Sequence, residues 1–132
     1  MIKRKTMQTN EQLLELLENY LAQRELPTEP ERLYDPIRYS LAGGGKRLRP
    51  MLLLLSCGLF TDHTDVALPA AAAVEIFHNF TLLHDDIMDN AAVRRGKPSV
   101  YARWGGNVAI LSGDAMLISA YRLLAQAPPA LL

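Results

Sequence analysis

Cysteine is almost absent from this 132-residue chain, which carries only Cys57. One thiol cannot build a disulfide framework, and its solitude suits a reducing compartment. Aromatic residues are scarce at 7%, so a core must be filled mainly by aliphatic side chains. Val and Ile are thin beside Leu and Ala, which favours helix over strand. Net charge is missing as well, because fourteen Lys and Arg offset fourteen Asp and Glu. That balance excludes a broad basic face for nucleic acid or an anionic membrane, although not a local basic site. Long apolar runs are interrupted, by Glu75 within residues 66–80 and by Asp114 within residues 108–121. No stretch then reaches the roughly 18–20 apolar residues of a membrane span. The basic start MIKRKTMQTNEQ leads into no apolar segment of the kind a signal peptide needs. These absences leave the expectation of a soluble, cytoplasmic protein with no nucleic-acid partner.

What is present reads as one all-α unit. A chain of this length buries roughly two-thirds of its unfolded surface, enough for one modest core. Thr9 or Asn10 caps a first helix with apolar positions Leu13, Leu14, Leu16, Leu17 and Leu21, which Pro27 stops. A second helix runs over about residues 30–41 and ends at Gly43, Gly44 and Gly45. Pro50 opens a third over residues 51–60, and Asp65 can cap a fourth over residues 66–89. That fourth helix is about 35 Å long, and Ala70 to Ala73 let neighbours approach it closely, so it is placed centrally. Residues 90–98 read as a basic loop and residues 101–104 as a short turn. A fifth helix follows Gly105 and Gly106 to about Gln126, before Pro128 and Pro129.

Three local charge extremes hide beneath the net zero. Lys46, Arg47 and Arg49 form one basic block, Arg94, Arg95 and Lys97 another, and Asp85, Asp86 and Asp89 an acidic block between them. Asp85 and Asp89 are four apart on a helix and share a face, where two like charges destabilise unless a cation sits between them. Two readings stand here. The block is either a solvated acidic helix end or an oxygen-ligand pair suited to Mg²⁺, which commonly takes one or two carboxylates plus substrate phosphate oxygens. Asp86 points about 100° away and suits a nearby base. His78 falls with Asp85 and Asp89 in a stripe about 40° wide, either as a core histidine or as part of a site. His84 lies off that stripe and reads as structural. The basic blocks suit phosphate, with three glycines before Lys46 opening backbone N–H groups to an anion. They do not form a Walker A loop, because Ser40 and Arg47 stand where that motif needs Gly and Ser or Thr. Two basic blocks around one acidic block imply two anionic groups, one bound through metal and one bound directly.

The segments GGGKRLRP (43–50), FHNFTLLHDDIMD (77–89) and RRGKPS (94–99) resemble the trans-type isoprenyl diphosphate synthases, or polyprenyl synthetases. GDAML (113–117) resembles their following helix, and the likeness covers nearly the whole chain. The resemblance implies a large all-α fold with a central cavity. It also implies Mg²⁺-dependent condensation of isopentenyl diphosphate with an allylic diphosphate. By matching position, Lys46, Arg49, His78 and Arg95 would bind isopentenyl diphosphate. Asp85 and Asp89 would bind the metal, and Arg94 would hold the allylic diphosphate, completing the catalytic end. Arg47 is less often given a direct role. Phe80, five before Asp85, resembles the bulky floor of short-chain synthases, with small Thr81 beside it, and this implies a C15 or C20 product. Packing of Phe80 in the core is the plainer alternative.

One departure from the family pattern concerns length. Its members are more than twice as long, and no second Asp-rich motif follows Asp89 here. The expectation is therefore an N-terminal portion of one polyprenyl synthetase domain over residues 1–132, inactive alone and self-associating, as a homodimer, through uncovered apolar faces. A non-catalytic accessory subunit is the alternative. A terpene cyclase would not need Lys46, Arg49 and His78, and a phosphohydrolase reading of His84 and Asp85 lacks its remaining ligands.

Overall fold

The computed structural model describes residues 8–24 and 26–131. The basic start falls largely in residues 1–7, outside that range. Among the described residues the helices are α1 (Asn10–Ala22), α2 (Glu31–Ala42), α3 (Leu48–Gly58), α4 (Leu68–Met88), α5 (Val100–Trp104) and α6 (Gly106–Leu124). The chain is all-α, as its composition requires. One helix more than expected appears because residues 100–104 form α5 rather than a turn, capped by the Ser99 hydroxyl accepting from the Ala102 N–H.

Helix ends follow local chemistry. Thr9 and Gln12 form a reciprocal capping box at α1. That helix stops at Ala22, well before Pro27, because its apolar face is exhausted at Leu21. Helix α3 begins three residues before the expected Met51. Pro50 is tolerated there because first-turn N–H groups have no helical partner. Asp65 caps nothing. A short 3₁₀ turn, Thr64–Ala67, leads into α4 instead, with Pro69 in its first turn. At its other end α4 closes without glycine. Asn90 takes the left-handed conformation (φ 50°), and the Ala91 N–H donates to the Asp86 carbonyl at 2.9 Å. The Asn90 N–H donates to the Ile87 carbonyl at 3.2 Å, which completes a Schellman-type stop.

Residues 90–98 are more ordered than a loop. Strands β1 (Val93–Arg94) and β2 (Lys97–Pro98) pair antiparallel around Arg95 and Gly96. Both turn residues have positive φ, 53° and 75°, which matches the right-handed twist of a tight hairpin. Strands of two residues are too short to show alternation in a sequence.

Helix α4 is central. It packs along α6 and also meets α1, α2, α3 and α5. Ala71, Ala72 and Ala73 are buried, so the small side chains bring neighbouring backbones close. Ile37, Ile76, Leu83, Met116 and Leu123 fill one core cluster, and Leu13, Leu17, Leu54 and Leu68 a second. Residues Thr64–Met88 form a helical stretch long and apolar enough to cross a membrane by length and composition. This corrects the expectation that no such stretch exists: Glu75 within the apolar window does not lower its mean hydropathy enough. Nearly half of that window, 44%, is buried inside the protein, as in the core helix of a helical domain.

Candidate functional site

The loop between α2 and α3 carries Lys46 and Arg47 onto the side of α4, and the first turn of α3 adds Arg49. Arg47 is the residue that docks. Its backbone is left-handed (φ 53°) and its side chain is buried. Nε donates to Glu18 at 2.9 Å, Nη1 to Glu75 at 2.8 Å and Nη2 to the Leu41 carbonyl at 3.3 Å. Burial works against its charge, but the bonds to Glu18 and Glu75 outweigh that and raise its pKa. With Arg47 turned inward, its neighbours face out. Lys46 and Arg49 are both exposed. Arg49 Nη1 lies 3.3 Å from His78 Nε2. Because a guanidinium only donates, that histidine nitrogen is the acceptor. Burial first, then the Arg49 charge, push the His78 pKa down.

The hairpin delivers the second basic block to the same region. Arg95 Nη1 donates to the Gly44 carbonyl and lies 3.4 Å from Asn79 Oδ1. Gly45 has φ +135°, a conformation that favours glycine, and a Cβ there would stand 3.0 Å from Arg95 Nη2, so the guanidinium would have to shift slightly. Burial pushes the Arg95 pKa down, which Glu75 opposes. Arg49, His78 and Arg95 therefore gather on one side of α4, beside the loop that carries Lys46.

The acidic block splits in two. Asp86 is 3% exposed and takes Arg94 in a fork, with Nη2 at 2.7 Å and Nε at 3.0–3.1 Å from its carboxylate oxygens. This matches its expected role as partner of a base. The hydrogen bond to Asp86 raises the Arg94 pKa. Among the described residues Arg94 Nη1 makes no hydrogen bond, so one edge of the guanidinium faces outward beside the acidic block. Asp85 and Asp89 are exposed, one turn apart, at the C-terminal end of α4. That is the wrong end for negative charge, since the helix dipole already accumulates it there. A cation between the two carboxylates answers both the dipole and their mutual repulsion. Among the described residues no group of three His, Cys, Asp or Glu side chains forms a complete metal site. Two oxygen donors open to solvent fit a hard divalent ion whose other ligands come from phosphate and water.

His84 is structural, as its register indicated. Its Nε2 lies 3.1 Å from the Ile110 carbonyl and 3.8 Å from an Asp114 oxygen. A Cβ on Gly113 would meet the His84 ring at 2.4 Å, so the glycine of GDAML makes room for it. Phe80 is half-buried, edge-on to Phe77 (5.0 Å) and to His84 (5.3 Å). Thr81 donates to the His78 carbonyl at 2.6 Å. Beyond Phe77, away from the acidic end, α4 and α6 line an open apolar groove of about 230 Å³ with Ala73, Val74, Ala120, Tyr121 and Leu124.

Sequence reasoning missed Glu75 and Asn79, both buried and both bonded to arginines of the site. The available signal was their i, i+4 spacing in an otherwise apolar helix, opposite three arginines that needed partners.

Residues 30–131 match the polyprenyl synthetase family. The chain is 48% identical over 99 residues to geranylgeranyl diphosphate synthase of Methanosarcina mazei, covering 75% of this chain and 31% of that protein. It is 44% identical over 130 residues to geranylgeranyl diphosphate synthase of Cyanophora paradoxa, covering 92% of this chain and 43% of that protein. A crystal structure of a geranylgeranyl pyrophosphate synthase superposes with a TM-score of 0.83 at 50% identity, over 93% of this chain and 38% of that one. The chain thus spans less than half the length of each of these three.

Proposed function

The chain belongs to the polyprenyl synthetase family, and from that membership we propose that it carries diphosphate-binding residues of a trans-prenyltransferase. The reaction is condensation of isopentenyl diphosphate with an allylic diphosphate. The observation that carries this reading is the separation of two anion-facing ends along one helix. Arg49, His78 and Arg95 gather at one end. Asp85 and Asp89 stand at the other, about 10 Å further along the axis from His78 to Asp85.

In this reading Lys46, Arg49, His78 and Arg95 hold isopentenyl diphosphate directly. Asp85 and Asp89 hold Mg²⁺, and the outward edge of Arg94 meets the allylic diphosphate. Bound Mg²⁺ supplies charge stabilisation for the departing diphosphate. Arg94, already clamped by Asp86, adds fixed positive charge at the same place without reorganising. The direct site keeps the second substrate oriented so that its double bond meets the allylic carbon as the C–O bond breaks.

Phe80 is the floor of the growing-chain path, and a C15 or C20 product follows. The geranylgeranyl diphosphate synthases among the relatives favour the longer of the two. The exposed apolar stripe Leu111, Ile118 and Tyr121 on α6 is covered by a second copy in a homodimer.

The test is kinetic. In an active synthase carrying this chain, Arg49→Ala should raise KM for isopentenyl diphosphate by about tenfold or more and leave the allylic KM nearly unchanged. Equal rises for both would mean that Arg49 is a general structural residue.

A further inference from the structure

Helix α4 has a buried polar stripe that neither charged motif announces. Glu75, Asn79 and Asp86 are 2%, 0% and 3% exposed. Each meets an arginine from another segment: Arg47, Arg95 and Arg94 respectively. The Asp86 pair belongs to the acidic end. The other two are joined to each other. Glu75 Oε1 accepts from Arg47 Nη1 at 2.8 Å and from Asn79 Nδ2 at 3.1 Å. Asn79 Nδ2 also donates to the Glu75 carbonyl at 2.8 Å. With its amino group committed to Glu75, the Asn79 amide turns Oδ1 toward Arg95, which has only donors to offer.

A buried carboxylate beside a site for anions is a costly choice, because apolar side chains of the same volume would fill the space without desolvation. It also adds negative charge where a diphosphate must come. What it provides is placement. Through Arg47 it pins the left-handed residue that separates Lys46 from Arg49. Through Asn79 it sets the height of the Arg95 guanidinium.

We propose that Glu75 is a positioning residue for the direct diphosphate site, acting through Arg47 on the 43–47 loop and the start of α3, and through Asn79 on Arg95. The proposal rests on the reading of Lys46, Arg49, His78 and Arg95 as that site. Glu75 does not touch the substrate, so its effect is read as selectivity between substrates rather than as loss of chemistry.

The experiment compares Glu75→Gln and Asn79→Leu in an active synthase carrying this chain, with KM for each diphosphate measured separately. Glu75→Gln should raise KM for isopentenyl diphosphate about tenfold, and the allylic KM should stay within about twofold. Asn79→Leu should shift the same constant by less, since Arg47 keeps its carboxylate. A merely structural role would raise both constants together, or lower the folded fraction with both unchanged, and either result in a folded Glu75→Gln overturns the proposal. If Glu75→Gln does not fold, Asn79→Leu decides by the same criterion, and failure of both to fold also overturns it. Arg49→Ala separates the two levels. Should it discriminate while Glu75→Gln does not, only the role of Glu75 falls. Should it fail to discriminate, the site reading falls and takes the proposal with it.

Discussion

Helix α4 presents two polar stripes, and they obey opposite rules. The outer stripe, His78, Asp85 and Asp89, faces solvent or half-faces it. The inner stripe, Glu75, Asn79 and Asp86, is buried, and each member is bonded to an arginine. The inner stripe is satisfied within the chain, as buried polar groups must be. In the outer stripe His78 accepts from Arg49, whereas the acidic end, Asp85 and Asp89, is open to solvent and sits against the helix dipole. Buried polar residues paired within the chain and polar residues open to solvent therefore lie on one helix, a fraction of a turn apart.

The sharpest way to break this contrast is at Asp85 and Asp89. In an active synthase, Asp89→Ala should reduce kcat/KM by about 10²–10³-fold. In calorimetry, Mg²⁺ and pyrophosphate should each enhance binding of the other, and Asp89→Ala should abolish that coupling. The same variant should leave Tm unchanged or raise it, because it removes a like charge from a helix C-terminus. A large fall in Tm would move Asp89 to the inner, structural class.

Asp86→Ala should do the reverse. It releases Arg94 from its fork and costs about 1–3 kcal/mol of stability, visible in a denaturant midpoint. A stability loss no larger than that of Asp89→Ala would erase the distinction between the stripes.

The neighbouring apolar face offers a milder test. Phe80→Ala removes the ring that stands edge-on to Phe77 and His84 and opens a path toward the groove between α4 and α6. Products dephosphorylated and separated by chromatography should lengthen. Unchanged chain length with activity retained would return Phe80 to the core.

The smallest effect concerns pH. Burial and the Arg49 charge hold the His78 pKa below its ordinary value. The unfolded chain therefore takes up this proton first as pH falls. The contribution is fully present above about pH 6.5 and is lost as pH drops through that value and below it. Tm of the native chain should fall more than that of His78→Gln between about pH 7 and pH 5.5, where Asp and Glu stay mostly ionised. Parallel curves would show that burial and Arg49 do not depress the His78 pKa.

How much of this was legible depends on whether a signal is local. The helical composition, the capping role of Thr9, the break at Gly43–Gly45 and the alignment of His78 with Asp85 and Asp89 all follow from short spacings and the period of a helix. Asp86 was marked as a partner for a base by its angle alone. The hairpin was not legible, since two-residue strands leave no alternation and Arg95 is an unusual choice for positive φ. In the sequence Glu75 shows only as an interruption in an apolar run, because one helix considered alone cannot show what a charged residue meets across an interface.

By itself, then, the order of residues determined which helices form and which charges share a face, because both depend on neighbours three or four places away. Only the tertiary structure decided which arginine is spent and which is free. Arg47 and Arg49 are two positions apart at the start of α3, yet one is buried between Glu18 and Glu75 and the other is exposed beside His78. Arg94 and Arg95 are adjacent, yet a tight turn sends one to Asp86 and the other to Asn79. A charge leaves water only where a partner of opposite sign, or a lone pair, is already held in place. Those partners lie 28 and 29 residues from Arg47 and 16 from Arg95 in the chain, at distances that only packing can close.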